Sequence, residues 1–140
     1  MDIGYELKIL SKNLETHLTK RLKKDDITSA QFHILLFLSG QSGKRVSQKE
    51  ICDCLDLKHT TVIGLLKRMG EKGLVVSETN ADNARYKDVY LTEKGMRRAA
   101  ALDENRILVD KQLLDGFSQE EKAEFNRLLL KLKHNIEALK

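Results

Sequence analysis

The chain of 140 residues contains no proline, no tryptophan and only two cysteines, and 5% of its residues are aromatic. Its longest apolar stretches, such as 34–38 and 128–130, are far shorter than the roughly 18 residues that a membrane span requires. The N-terminus carries charges at Asp2, Glu6 and Lys8, in place of the basic start and apolar segment of a signal peptide. The sequence therefore predicts a soluble protein with no membrane partner, and we expect it in the cytoplasm.

The cysteines, Cys52 and Cys54, are two residues apart, and no second cysteine pair or closely spaced histidine pair accompanies them. This excludes a disulfide framework and gives no zinc pattern. Walker, GxGxxG, GxSxG and HExxH motifs are also absent. We therefore expect no enzyme activity, no cofactor and no metal site. Cys52 is expected to be a small buried hydrophobic residue and Cys54 a surface thiol, with a redox role as the alternative.

The absence of proline favours helix over most of the chain, and apolar periodicity indicates where the helices lie. Apolar residues recur in steps of three and four over 3–22, which predicts an amphipathic helix of about six turns. Thr28 and Gln31 form a capping box for a second helix that ends at Gly40. Because 32–38 is apolar nearly all round, this helix is predicted to be core.

A second capping box, Ser47 with Glu50, opens a short helix over 48–55, and another helix is predicted from about Lys58 to Lys72. Two short helices around a tight turn are typical of a helix-turn-helix. At 100° per residue, the second of them buries Val62, Leu65, Leu66 and Met69. Its opposite face carries Thr60, Gly64, Lys67 and Glu71, flanked by Thr61, Ile63 and Arg68.

Two extended segments, 74–78 and 87–91, are joined by a segment rich in Asn and Asp, which predicts a β-hairpin. Thr92 caps a long helix that reaches about Gly116, and Ser118 opens the last helix with a third capping box. The predicted fold is therefore mainly α with a small β-hairpin wing: a winged helix-turn-helix flanked by helices at both ends. The last helix has an apolar stripe of Phe125, Leu128, Leu129, Leu132, Ile136 and Leu139.

The net charge of +4 is concentrated in one part of the chain. Residues 44–98 hold 12 Lys and Arg against 8 Asp and Glu, whereas the remaining residues hold 13 of each. Such polarisation favours a polyanionic partner, although a balance of this size is also ordinary for a solvated surface.

The leucine stripes of the first and last helices are too long for one small winged helix to bury both. They indicate a two-fold homodimer built from both chain ends, with an intramolecular helical pair as the alternative. Such a dimer would present two recognition helices about 34 to 36 Å apart, which implies an imperfectly palindromic DNA site.

The segments SQKEICDCLDLKHTTVIGLLKRMGEKGLVVSE and NARYKDVYLTEKG give the sequence a resemblance to the MarR family of bacterial transcriptional regulators. The resemblance implies one MarR-type domain over 1–140, with a winged helix-turn-helix DNA-binding lobe at 28–98 and a helical dimerisation lobe at 1–24 and 99–140. Asp56 stands where many members have a turn glycine, and Asn83 replaces the usual Asp before the wing arginine.

By this resemblance, the protein is a homodimeric regulator of transcription, usually a repressor, that binds double-stranded DNA. The helix over 58–72 would enter the major groove, and the wing arginine, Arg85, would reach the minor groove. Gly64 would let the backbone approach the duplex; the alternative is a weak point in the helix, costing ~1 kcal/mol relative to Ala. The residues expected to contact DNA are Ser47, Gln48, His59, Thr60, Thr61, Ile63, Gly64, Lys67, Arg68, Arg85 and Lys87.

Family members often bind small aromatic or amphipathic acids in a crevice beside the dimerisation helices, and this shifts the spacing of the recognition helices. The resemblance implies such an effector pocket here, walled by His17, Arg21, Phe32, Leu36 and the long helix after Thr92. A basic first helix is also compatible with a simple solvated face. The alternative function is an architectural or protein-interaction winged-helix module without ligand control.

Overall fold

The computed structural model describes residues 1–41, 44–82, 85 and 87–139. Within these residues it has six α-helices and three β-strands, which confirms the predicted, mainly helical fold with a small β-sheet wing. In chain order the elements are α1 (Ile3–Lys23), α2 (Ser29–Ser39), β1 (Val46–Ser47), α3 (Gln48–Leu55), α4 (His59–Glu71), β2 (Val75–Thr79), β3 (Lys87–Leu91), α5 (Glu93–Leu113) and α6 (Gln119–Glu137).

The chain divides into two compact units, Met1–Asp103 and Glu104–Lys140, and α5 contributes to both. The first unit contains the helix-turn-helix and the wing together with α1. Leu18 and Leu22 join α1 to the core of this unit. The expected division into a DNA-binding lobe and a dimerisation lobe stays a prediction.

Three of the helices start at the capping boxes that the sequence predicts. The hydroxyl oxygen of Ser47 accepts a hydrogen bond from the Glu50 N–H at 3.1 Å, and the Glu50 carboxylate accepts one from the Ser47 N–H at 3.2 Å. Equivalent pairs open α2 at Thr28 and α6 at Ser118. Asp56 ends α3 in the left-handed conformation, with φ of 52°, which Asp adopts at modest cost. The tight turn between α3 and α4 follows from this cap.

The core of the first unit orients α4. The predicted stripe of Val62, Leu65, Leu66 and Met69 is buried, with exposed fractions between 0 and 6%. These side chains share one cluster with buried residues of α2 and with Ile51 of α3. Since burial of each such side chain is worth about 1.5–3 kcal/mol, rotation of α4 about its axis would be costly. The opposite face of α4 is therefore held toward solvent.

The sheet has one strand more than the sequence predicts. Strands β2 and β3 form the expected antiparallel hairpin, in which Ser77 lies opposite Val89. Strand β1 pairs with the other edge of β3, and the order is β1-β3-β2. A strand of two residues has no alternating pattern by which it could be recognised. The predicted turn includes Asn83, which, like residues 84 and 86, lies outside the described residues.

Thr92 ties the wing to the end of α4. Its hydroxyl donates to the carbonyl of Gly73 at 2.6 Å and accepts from the N–H of Gly95 at 3.0 Å. Gly73 has a φ of +75°, which a side chain would strain. At Gly95, an added β-carbon would overlap the carbonyl oxygen of Leu74, because helix and strand backbones cross closely there. The base of the wing, the end of α4 and the first turn of α5 are thus one connected structure.

The second unit consists of the later part of α5 and of α6, joined through Gly116 at a φ of +83°. The ring of Phe117 meets that of Phe125 edge-on, with 5.9 Å between centroids. No described residue of α6 is buried. Ten large apolar side chains of this unit are between 39% and 84% exposed: Ile107, Leu108, Leu113, Phe117, Phe125, Leu128, Leu129, Leu130, Ile136 and Leu139.

Across the described ranges, no helix combines the length and the hydropathy that crossing a membrane would need.

Candidate nucleic-acid interface

The outward face of α4 is small and partly basic, as the periodicity predicts. A β-carbon at Gly64 would meet only the guanidinium nitrogens of Arg68, at 3.8 Å, so this part of the helix backbone has open space before it. Ile63 presents an apolar side chain that is 43% exposed. The other predicted DNA contacts on this helix are also exposed: His59, Thr60, Thr61, Lys67 and Arg68. The structure therefore brings the residues predicted on α4 together on one accessible face.

The two residues predicted at the start of α3 are differently placed. Ser47 is half-buried, and its hydroxyl oxygen is engaged in the capping box with Glu50. Gln48 is buried, with 7% of its surface exposed. Burial leaves Gln48 little surface with which to touch a duplex. Lys49, which follows it, is exposed and was not among the predicted contacts.

The wing carries Arg85 and Lys87, both exposed, and its base is held by polar contacts between the strands. Arg45 forms an ion pair with Glu78 at 2.6 Å, and its guanidinium lies over the ring of Tyr90 at 5.1 Å. The Tyr90 hydroxyl donates to the Glu78 carboxylate at 3.0 Å, and this hydrogen bond, with burial and the negative charge, raises the pKa of Tyr90. These contacts hold the hairpin base that presents the wing cations.

Toward the wing tip, Asn80 continues the polar contacts. Its side-chain amide donates to the carboxylate of Asp88 at 2.8 Å, and its side-chain oxygen accepts from the N–H of Asp82 at 2.8 Å. The first bond joins the residue that follows β2 to Asp88, which lies within β3 opposite Glu78. The hairpin is thus braced close to Arg85.

An open cavity of about 290 Å³ lies where α3, α4 and the wing meet. Its described lining residues are Lys49 and Cys52 of α3, His59 at the start of α4, and Arg85 of the wing. The Cys52 sulfur is 3.9 Å from Nδ1 of His59. Burial and the nearby Asp53 carboxylate raise the pKa of the Cys52 thiol, which is therefore mainly protonated at neutral pH. Cys52 is half-buried and packs against the core, and Cys54 is exposed.

Part of the positive charge counted over 44–98 has a structural use. The Lys72 ammonium donates to the carbonyl of Asp26 and, at 3.2 Å, to the side-chain oxygen of Gln31. Arg98 donates to the carbonyl of Asp25 at 3.0 Å. Both cations thus bind the corner between α1 and α2 to other elements of the first unit. The positive charge available at the surface is consequently smaller than the sequence count.

The four residues predicted for an effector pocket do not share one environment. His17 and Arg21 are exposed and lie one turn apart on α1. Phe32 is a core residue, 5% exposed, and Leu36 is half-buried and packs against the core. Within the described parts of the chain, no group of three or more His, Cys, Asp or Glu side chains is placed to hold a metal ion.

Sequence reasoning missed Lys49 and Cys52 as parts of this surface. Both lie on α3, three residues apart, and therefore on the same side of the helix. That spacing was a usable signal, but only the position of the wing shows that this side of α3 faces Arg85.

Comparisons with known proteins agree with this arrangement. The MarR family model matches residues 25–85, from the end of α1 to the wing. The HTH-type transcriptional regulator YybA of Bacillus subtilis (strain 168) is 24% identical over 136 residues, which cover 97% of this chain and 89% of that protein.

Solved structures have the same fold. The MepR–DNA complex of S. aureus superposes with a TM-score of 0.84 and 25% identity, covering 97% of this chain and 99% of that chain. A MarR family transcriptional regulator from Listeria monocytogenes, complexed with 26mer DNA, has a TM-score of 0.83 and 24% identity, covering 97% of this chain and 89% of that one. The matched family and these relatives are transcription regulators and not enzymes, as the sequence led us to expect. With its helix-turn-helix, its three-stranded wing and its flanking helices, the chain has the fold of these regulators, and its residues 25–85 match the MarR family model.

Proposed function

We propose that this protein is a transcriptional regulator that binds double-stranded DNA, with α4 in the major groove and Arg85 of the wing at the adjacent minor groove. The observation that carries the proposal is the outward face of α4, which is accessible, contains Gly64 where a backbone can approach closely, and is fixed by a buried stripe behind it. An α-helix fits the major groove, where exposed Thr and Ile side chains can read base edges and thymine methyl groups. The MepR and Listeria relatives, both solved with DNA, support this assignment.

Cations around this face would supply the non-specific part of the affinity. Lys67 and Arg68 are exposed in the second half of α4, and Lys87 is exposed at the start of β3. Neutralisation of backbone phosphates by such side chains releases counterions, so the affinity falls with salt. In this proposal these residues position α4, and Thr60, Thr61 and Ile63 read the sequence.

We further propose that the protein acts as a homodimer. Within the second unit, ten large apolar side chains are at least 39% exposed, which is far more than scattered surface hydrophobics would explain. On α1, Ile3, Leu10 and Leu14 are likewise between 45% and 61% exposed. Two-fold pairing through these surfaces would set two copies of α4 against half-sites about one DNA turn apart, which favours a palindromic operator. Binding there would repress a promoter by excluding the polymerase.

We also propose that a small acid controls DNA binding. His17 and Arg21 are exposed one turn apart on α1 and offer hydrogen-bond donors for a carboxylate. A ligand releases DNA only if it binds the DNA-incompetent state more tightly, and a hundredfold preference corresponds to about 2.7 kcal/mol. Salicylate titrated with and without duplex tests this, because DNA must weaken salicylate by the same factor. If Arg21→Ala leaves salicylate binding unchanged, these residues do not form the pocket.

The test of DNA binding uses fluorescence anisotropy with a labelled duplex from the region upstream of the protein's own gene, and a scrambled duplex of equal length and composition. At matched salt, we expect binding at least a hundredfold tighter to the upstream duplex. Equal, weak binding to both at physiological salt would instead favour the alternative of an architectural winged-helix protein. No binding to either would favour a winged helix that contacts only protein.

A further inference from the structure

The cavity between α3, α4 and the wing is lined by positively charged side chains. Of its four described lining residues, Lys49 and Arg85 carry positive charge and none is acidic. The thiol of Cys52 is protonated at neutral pH and therefore does not cancel this charge. Asp53 is exposed and is not among the described residues that line the cavity. The site suits an anion.

The size of the cavity limits the anion. Its volume of about 290 Å³ is at the lower limit of the roughly 300–1,000 Å³ typical of small-molecule sites. A phosphoryl group with an attached sugar fits such a volume. The first N–H groups of α4 receive no hydrogen bond from the side chain of the N-cap residue, Lys58. The start of this helix therefore adds positive potential that favours an anion.

The position of the cavity selects the source of the phosphoryl group. In duplex DNA, the sugar-phosphate backbone is the wall between the major groove and the adjacent minor groove. A protein that places α4 in one groove and the wing in the other must straddle that backbone. His59 belongs to α4 and Arg85 to the wing, and the cavity lies between them.

We propose that this cavity is the binding site of one backbone phosphate of the bound duplex, which Lys49, His59 and Arg85 contact. The inference rests on the proposed DNA binding and adds Lys49 to the residues that would contribute to it. Lys49 donates three hydrogen bonds as a compact charge, while the guanidinium of Arg85 forms the outer wall on the side of the minor groove. Because the phosphate lies above the Cys52 sulfur, the thiol becomes inaccessible when DNA is bound.

The accessibility of the Cys52 thiol reports occupancy of this phosphate-binding site, and Cys54 is the internal control. The two thiols are two residues apart on α3, which places them on opposite sides of the helix, and Cys54 does not line the cavity. Single-cysteine variants Cys54→Ser and Cys52→Ser allow each thiol to be alkylated separately with neutral iodoacetamide. We expect saturating upstream duplex to slow alkylation of Cys52 at least tenfold and that of Cys54 less than twofold.

Salt dependence gives a second, independent measurement. In Lys49→Ala, the negative slope of log affinity against log salt should decrease in magnitude by about one unit, as expected for one lost phosphate contact. Lys24→Ala removes the same charge from the exposed end of α1 and should leave the slope unchanged. Circular dichroism of both variants checks that they fold, and Lys49→Gln repeats the test with a longer neutral side chain.

Each outcome decides the matter. Protection of Cys52 by duplex together with the reduced slope of Lys49→Ala supports the phosphate-binding site. Tight binding of the duplex with neither effect overturns it and leaves the proposed DNA binding intact. Protection of Cys52 by millimolar inorganic phosphate alone, with no further effect of duplex, overturns the assignment to DNA in favour of a free phosphoryl ligand. Absence of any duplex binding overturns the proposed function and this inference together.

Discussion

Replacement of Gly64 by Ala should raise stability and lower DNA affinity at the same time. The added β-carbon would meet only the Arg68 guanidinium at 3.8 Å, an ordinary van der Waals contact, so the fold can accept it. Glycine inside a helix costs about 0.5–1 kcal/mol relative to alanine. We therefore expect the free energy of unfolding to rise by about that amount and the melting temperature by a few degrees.

The effect on DNA should have the opposite sign. Gly64 lies on the outward face of α4, and a methyl group there would hold the helix backbone away from the bases that Thr60 and Ile63 contact in the proposed complex. We expect the affinity for the upstream duplex to fall at least tenfold, which corresponds to about 1.4 kcal/mol. Anisotropy at fixed salt measures it, and thermal unfolding at one fixed protein concentration measures the stability.

Gly70→Ala is the matched control. Gly70 lies on the same helix, and its added β-carbon would likewise meet only an ordinary contact, the Val75 carbonyl oxygen at 3.8 Å. Its direction differs from that of Gly64 by about 120° at 100° per residue. It should gain similar stability without losing DNA affinity. If Gly64→Ala bound the upstream duplex as tightly as the native protein, the close approach of α4 to DNA would be refuted.

Four further outcomes are expected. Arg85→Ala should weaken operator binding by about 1–3 kcal/mol without lowering the melting temperature. The control is Arg97→Ala, whose native side chain pairs with Glu93 at 2.9 Å, and it should change neither the operator affinity nor the melting temperature. Lys67→Ala should reduce the salt slope by about one unit; an unchanged slope would remove Lys67 from the phosphate contacts. Gly95→Ala should destabilise the fold by about 1–3 kcal/mol in urea unfolding, because its β-carbon overlaps the Leu74 carbonyl; native stability would contradict that packing. Leu129→Glu should give monomers in sedimentation velocity at low micromolar concentration, and a native chain already monomeric there would refute the dimer.

Local patterns in the sequence were sufficient to predict most of the helices and the outward face of α4. The capping boxes at Thr28, Ser47 and Ser118 depend on contacts three residues apart, and these form in whatever tertiary setting the helix has. The buried stripe from Val62 to Met69 follows from helical periodicity alone, because one face of a surface helix must be apolar. The left-handed cap at Asp56 agrees with the turn glycine that many MarR family members have at this position, since Asp adopts that conformation at modest cost.

Tertiary structure decided everything that joins residues distant in the chain. Strand β1 exists because β3 offers it an edge, and two residues contain no period by which sequence reasoning could find it. Gln48 is buried although the resemblance implied a DNA contact there. The cavity unites Lys49 with Arg85, 36 positions later, because packing of α4 and pairing of the hairpin bring the wing to α3. Such proximity is fixed by long-range burial and strand register, for which a single sequence provides no local signal.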